Sequence, residues 1–195
     1  MPDRETLAAY DKAPGDFADD WDSQPIAEDL QTIVRNHFKP GSVADIGSGS
    51  GRDAAWLAAN GFAVTGYDAS HGLLAEARRR HPAIEFHYAA LPPLDGIADA
   101  AFDNVLCETV IMHLPQDEIV PAVRRMLEIL KPGGVLYLSW RTDAKTDWRD
   151  PRGRRYAGFD PQIVRDALAP HEILAENEVI SASSGNPIHV IVARK

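Results

Sequence analysis

Apolar residues recur along this chain in two alternating rhythms, a helical period and short unbroken runs. Ile26, Ala27, Leu30, Ile33, Val34 and Phe38 mark one face of a helix over residues 26–38, which Pro40-Gly41 ends. An apolar run at 43–46 predicts the first strand. The next helix begins near Gly51 and stops at Asn60-Gly61, a pair suited to a left-handed C-cap. Residues 62–67 form the second strand, which ends in Asp68. Ser70 suits the N-cap of a helix carrying Leu73, Leu74 and Ala77. Arg78, Arg79 and Arg80 complement that helix's dipole ahead of Pro82. Strands follow at 84–88 and 102–107, with Leu91-Pro92-Pro93 as a loop between them. The next helix spans about 116–130, and Pro121 must delay its start or kink it. Lys131-Pro132-Gly133-Gly134 stops it ahead of a fifth strand at 135–140. A helix near 161–168 and two strands at 176–181 and 188–193 complete the series. The turn Ser184-Gly185-Asn186-Pro187 joins those last strands as a hairpin.

Repeated βαβ units predict an α/β fold: a doubly wound, mostly parallel seven-stranded sheet with a terminal antiparallel β-pair and helices on both faces. No repeat, low-complexity tract or linker divides the chain, so its 195 residues read as a single domain, 1–195. Open α/β sheets bind ligands beyond the carboxyl ends of their strands. That directs attention to residues 45–51, Asp68, residues 89–91, residues 107–109 and Arg141.

Composition narrows the function. The chain is 45% hydrophobic and 25% charged, a globular balance, and its net charge of -9 argues against binding nucleic acid through phosphate attraction. The amino end has no basic-then-apolar leader, and no apolar run approaches the roughly 20 residues of a membrane span. A cytoplasmic protein without a membrane partner is the expectation. The single cysteine, Cys107, cannot form an internal disulfide. The histidines show no metal-ligand spacing, so no metal site is expected. Charge is uneven: acids crowd residues 1–30, whereas bases dominate 141–155.

The most informative stretch is Asp45-Ile46-Gly47-Ser48-Gly49-Ser50-Gly51-Arg52, at the end of the first strand. A dinucleotide fingerprint has a third glycine where Arg52 stands, for close helix–strand packing. A carboxylate at Asp45 repels a pyrophosphate and suits an ammonium group. The pattern therefore favours a cationic nucleoside over a diphosphate and disfavours a nicotinamide-dependent oxidoreductase. Asp68, at the end of the second strand, suits the two hydroxyls of a ribose. Its other reading is a helix cap, in competition with Ser70.

These residues, followed by Val64-Thr65-Gly66-Tyr67-Asp68, Phe102-Asp103-Asn104-Val105-Leu106-Cys107, Met112-His113-Leu114 and Leu130-Lys131-Pro132-Gly133-Gly134-Val135-Leu136, resemble the class I S-adenosylmethionine-dependent methyltransferases. The motifs span residues 43–140, about half the chain. The resemblance implies S-adenosylmethionine as cofactor and S-adenosylhomocysteine as product. It implies that Asp45 and the Gly47-Ser48-Gly49 backbone hold the methionine end, and Asp68 the ribose. Ala69 and Leu91 then flank adenine, and Cys107 adds backbone near the sulfonium. Many members carry an acid after the third strand for the adenine amine. Here the region reads His87-Tyr88-Ala89-Ala90-Leu91, leaving Ala90 only its backbone.

Methyl transfer asks the protein mainly to align donor and acceptor. His113 is the candidate base, or else a structural histidine at a helix start; Glu108 and Thr109 are candidates to line the pocket. Residues 1–25 suggest a lid, in which Tyr10 either covers the sulfonium or packs with Phe17 and Trp21. Residues 141–157 are the candidate acceptor loop. There Arg141, at the strand end, and the segment 148–156, with Arg149, Arg152, Arg154, Arg155 and Tyr156, are placed to hold an anionic small-molecule acceptor; the segment's arginines equally suit pairing with the acidic amino-terminal segment. A non-catalytic S-adenosylmethionine-binding regulatory protein is the alternative function. The atom methylated and the oligomeric state are not written in these residues.

Overall fold

A computed structural model describes residues 3–143, 146–181 and 185–195. Two helices open the chain, α1 (Arg4–Lys12) and α2 (Pro14–Asp22). Asp3 caps α1 by accepting from the Thr6 amide at 2.9 Å, and Pro14 opens α2, where its missing N–H costs no hydrogen bond. Then come α3 (Glu28–His37), β1 (Ser42–Ile46), α4 (Arg52–Ala59), β2 (Ala63–Asp68), α5 (His71–Arg80), β3 (Glu85–Tyr88) and β4 (Phe102–Cys107). A 3-10 turn at Ile111–His113 leads to α6 (Gln116–Ile129), β5 (Leu130–Arg141), the short strands β6 (Trp148–Arg149) and β7 (Arg155–Tyr156), α7 (Gln162–Leu168), β8 (Glu172–Ile180) and β9 (Pro187–Arg194).

The main sheet has the order β3-β2-β1-β4-β5-β9-β8. Pairing is parallel from β3 to β5, and β9 runs antiparallel to both β5 and β8. This is the expected doubly wound sheet with its antiparallel pair. Chain order reverses between β1 and β4, so a crevice opens above their carboxyl ends.

Both faces of the sheet are covered, which is why residues 105–107 of β4 and 135–138 of β5 read as unbroken apolar runs. Ala44, Ile46, Val105, Cys107, Leu136 and Leu138 pack against α6 and α7 on one face. Val43, Leu106, Val135 and Tyr137 pack against α3 and Leu57 on the other. Alternate residues of each strand therefore serve opposite layers.

Several boundaries differ from the sequence reading. Pro121 does not delay α6: the helix starts at Gln116, and exposed Pro121 sits inside it, in the second turn. β5 begins at Leu130 rather than 135, because Leu130 already pairs with Phe102. β8 begins at Glu172 rather than 176, paired with Arg194. The basic loop contains an unforeseen hairpin, in which Trp148 pairs with Tyr156. The expected closing turn starts at Ser184, outside the described residues; beside it, the Ser181 amide donates to the Asn186 carbonyl at 2.9 Å.

The amino-terminal helices lie on α5. Arg80 bonds Asp19 and Asp22, each at 2.6 Å, and Asp11 accepts from the Ser70 hydroxyl at 2.6 Å and the Gly72 amide at 2.9 Å.

Candidate functional site

A cavity of about 970 Å³ opens above the carboxyl ends of β1, β2 and β4, roofed by α1 and α2. The glycine turn forms its floor. The Gly47 and Ser48 amides both donate to the Tyr67 carbonyl, at 2.7 and 3.0 Å, which curls the turn back over β2. Gly47 and Gly49 have φ of 77° and 54°, where side chains are strained. They also make room: a Cβ at Gly47 would stand 2.3 Å from Val110 Cγ2, and one at Gly49 2.9 Å from Trp21 Cζ3. The roof thus seats directly on the turn.

Asp68 lies on the cavity wall and is held from two sides. It accepts from the Gly49 amide at 2.9 Å and from the Ser70 amide at 2.8 Å. Ser70, not Asp68, caps α5, by accepting from the Leu73 amide. Burial raises the Asp68 pKa against those backbone donors. Asp45 stands behind the turn, 3% exposed, and its Oδ2 has no protein partner. Burial, then the nearby Asp53 and Asp68, push its pKa well above the usual carboxylate range. Arg52 turns toward the roof rather than the sheet, bonding Asp53 at 3.0 Å and the Trp21 carbonyl at 3.3 Å. That explains how an arginine fits where the dinucleotide fingerprint needs a glycine.

Ser48, Ala69, Leu73, Ala89 and Leu91 also line the cavity. Asp45, Ala90 and Cys107 do not. Cys107 is fully buried in the core, and burial raises its thiol pKa well above normal. Its neighbour Glu108 takes the place on the wall. Burial pushes Glu108 up to about 7, opposed by a 2.5 Å hydrogen bond from the Ser139 hydroxyl.

His113 and Tyr10 meet across 103 residues of sequence. The His113 Nδ1 lies 2.5 Å from the Arg155 carbonyl, which can only accept, so Nδ1 carries the proton. Nε2 is then an acceptor, 3.1 Å from the Tyr10 hydroxyl that donates to it. Burial lowers the His113 pKa to about 4 and raises that of Tyr10 to about 12. Both are neutral near pH 7. Tyr10 also packs edge-on to Phe17, with centroids 4.8 Å apart, so covering the cavity and packing on its neighbours are compatible roles.

The arginines of the basic loop divide. Arg141 lines the cavity, 4.6 Å from the Tyr156 ring centroid and paired with Asp143. Tyr156 lines it too, as does Arg154, which is paired with Asp150 and packed near the Tyr10, Phe17 and Tyr156 rings. Arg152 and Arg155 do not reach it. Arg152 lies over Phe17, at 4.7 Å from the ring centroid, and Arg155 pairs with Asp147. Arg149 grips Asp3 through two 2.7 Å bonds. An ion pair with the amino-terminal segment is thus made by Arg149, whereas Arg154 and Arg155 pair within the basic loop. Of the four arginines in the segment 148–156, Arg154 is the one that lines the cavity, two residues from Tyr156 along the hairpin strand.

Among the described residues, no cluster of His, Cys, Asp or Glu could hold a metal, and no helix is long and apolar enough to cross a membrane.

A glycine turn and a fixed acid at the switch point of a doubly wound sheet define a Rossmann-like α/β protein. Residues 43–134 match the family model described as a methyltransferase domain. The chain is 33% identical over 133 residues to the trans-aconitate 2-methyltransferase of Methylobacterium nodulans, covering 67% of this chain and 49% of that protein. It is 34% identical over 99 residues to the demethylmenaquinone methyltransferase of Chlorobaculum parvum, covering 49% of this chain and 39% of that protein. The chain thus spans half or less of these relatives' length. In structure it is similar to the Burkholderia thailandensis 1,6-didemethyltoxoflavin-N1-methyltransferase, crystallised with 1,6-didemethyltoxoflavin and S-adenosylhomocysteine. The TM-score is 0.77 at 23% identity, over 98% of this chain and 87% of that one. Residues 43–134 thus carry a methyltransferase domain, and the fold is that of an S-adenosylmethionine-dependent methyltransferase.

Proposed function

We propose that this protein transfers a methyl group from S-adenosylmethionine to a small-molecule acceptor. One observation carries the reading: the cavity floor joins a glycine turn to the buried acid Asp68, a second acid, Asp45, is buried behind that turn, and Arg52 is the one cation among the main influences on Asp45. Such a floor repels a diphosphate and accommodates a cationic nucleoside. Asp68 would receive the ribose hydroxyls, Ala69, Leu73, Ala89 and Leu91 the adenine, and the Gly47–Gly49 backbone the methionine end. The cofactor, when bound, supplies an activated methyl and its own leaving group.

The chain's own residues then align the acceptor and move a proton. Arg141, Arg154 and Tyr156 form a cationic, aromatic wall suited to an anionic acceptor with a flat apolar body. Tyr10 passes the acceptor's proton to His113 Nε2, and the Arg155 carbonyl holds the imidazole in the tautomer that can take it. Helices α1 and α2 act as the roof that keeps water out.

The test is turnover with S-adenosylmethionine and a panel of small carboxylates, phenols and amines, read by mass spectrometry. Methylated carboxylate or phenol, lost in Asp68→Ala, is expected. Cofactor binding without turnover of any acceptor would favour a non-catalytic binding protein.

A further inference from the structure

The cavity is larger than one nucleoside needs. Sites for small ligands run from roughly 300 to 1,000 Å³, and at about 970 Å³ this cavity seats a donor and an acceptor together. Part of its lining comes from the start of α3 and from the end where β8 and β9 pair. There Ile26, Val179, Ile180 and Ile188 face the cavity. They belong neither to the glycine turn nor to the Tyr10–His113 pair.

Register joins these residues into an apolar groove. Arg141 stands opposite Ile188, and Ile188 opposite Val179. Directly opposed residues of antiparallel strands share a face, so the three form a row across β5, β9 and β8. Ile188 and Val179 pack in one cluster with Ile26 and Ala27, which lead into α3 and border the groove. Ile180 follows Val179 at the open end and is 69% exposed. It is contiguous with the apolar row and lines the same cavity, the case in which exposed apolar surface marks a binding site.

Charge gives a ligand in this groove its direction. Arg141 turns its guanidinium from the β5 end of the row to the Tyr156 ring, which Arg154 also approaches. The Arg141 N–H groups outnumber the two that Asp143 accepts. Glu28 and Asp29, in the first turn of α3, line the cavity beside Ile26. An anionic head is drawn to the arginines and repelled from that acidic turn. We propose that the acceptor is an anionic amphiphile, its head at Arg141, Arg154 and Tyr156 and an unbranched aliphatic chain lying in the groove toward Ile180. This names the acceptor's class and rests on the methyltransferase reading. The row crosses two strand spacings, roughly 10 Å. An extended chain advances at most about 3.6 Å in three bonds, so roughly eight carbons span the groove.

The experiment is calorimetric titration of the intact protein, saturated with S-adenosylhomocysteine, with butyrate, hexanoate, octanoate and decanoate. Affinity should rise about threefold to fourfold per methylene as far as octanoate, then level off as the chain end reaches solvent. Ile180 is exposed, so Ile180→Glu leaves the fold intact. It should lower octanoate affinity about tenfold, the worth of about two methylenes, and that of hexanoate, too short to reach it, by less than about twofold. Arg141→Gln should weaken all four carboxylates by one common factor. Affinity independent of chain length overturns the proposal. A rise with chain length that Ile180→Glu leaves intact also overturns it, because it marks nonspecific partition. Equal losses of hexanoate and octanoate in Ile180→Glu overturn it as well. If S-adenosylhomocysteine binds and no carboxylate does, this inference falls and the cofactor reading stands. If S-adenosylhomocysteine does not bind, both fall.

Discussion

The bond between Arg149 and Asp3 ties the amino-terminal roof to the basic hairpin, and a double-mutant cycle measures it. Asp3 accepts from the Thr6 amide at 2.9 Å, the Thr6 hydroxyl at 2.6 Å and two Arg149 nitrogens at 2.7 Å each. The guanidinium beside it holds its carboxyl well below the usual range. The side chains are 33% and 12% exposed, so solvent screens the pair only in part. An exposed pair contributes 0–1 kcal/mol; a bidentate, half-buried one belongs at the top of that range, about 1 kcal/mol. Losing the helix cap costs roughly 1 kcal/mol more. Arg149→Ala should therefore cost about 1 kcal/mol, and Asp3→Ala about 2. The double variant should cost about 2, leaving a coupling of about 1 kcal/mol. Urea unfolding gives the totals. Hydrogen exchange shows where the loss falls: amides of α1 should exchange about fivefold faster, while those of α6 hold. A coupling below about 0.3 kcal/mol, together with a raised acceptor KM in Arg149→Ala, would refute the latch and assign this arginine to the substrate.

Other predictions follow from single sites. His113 has a pKa near 4 in the fold against 6.5 unfolded, so its contribution is complete above pH 6.5 and declines as pH falls toward 4. His113→Gln should flatten the stability profile across that window; an unchanged slope in acid titration would contradict the buried neutral imidazole. Asp103 accepts from Ser42 and Lys131, which lowers its pKa to about 2. Asp103→Asn should cost about 1–2 kcal/mol at neutral pH, and the difference should shrink as pH falls from the unfolded value toward 2. Gly49→Ala should cost about 1–3 kcal/mol and shift Trp21 fluorescence, because its Cβ meets that ring; an unperturbed Trp21 would contradict the roof's seating. Cys107, buried and with a raised pKa, should resist thiol reagents until the protein unfolds.

The fold was legible because both faces of the sheet are buried. β4 has the bounds expected of it, Phe102–Cys107, and Ser70 caps α5 as its side-chain type suggested. What escaped depended on pairing rather than pattern. A two-residue strand has no period, so the β6–β7 hairpin left no trace among the arginines. β5 starts early because Phe102 offers Leu130 a partner ahead of the Pro-Gly-Gly stop. The site divides the same way. The glycine turn and Asp68 are local signals at a strand end. Whether Ala89 or Ala90, Cys107 or Glu108, Arg154 or Arg155 faces the cavity turns on one residue of register, which reverses a side chain's face. The Tyr10–His113 bond is tertiary, and no local pattern announces it.

The account rests on the cavity floor taking a cationic nucleoside amino acid, so the most direct measurement is calorimetric titration of the purified protein with S-adenosylmethionine and S-adenosylhomocysteine, with NADH as the control. Micromolar or tighter binding of both sulfur nucleosides, weakened by Asp68→Ala, and no heat from NADH is the predicted result. Millimolar or absent affinity for both, with tight NADH binding, would contradict it.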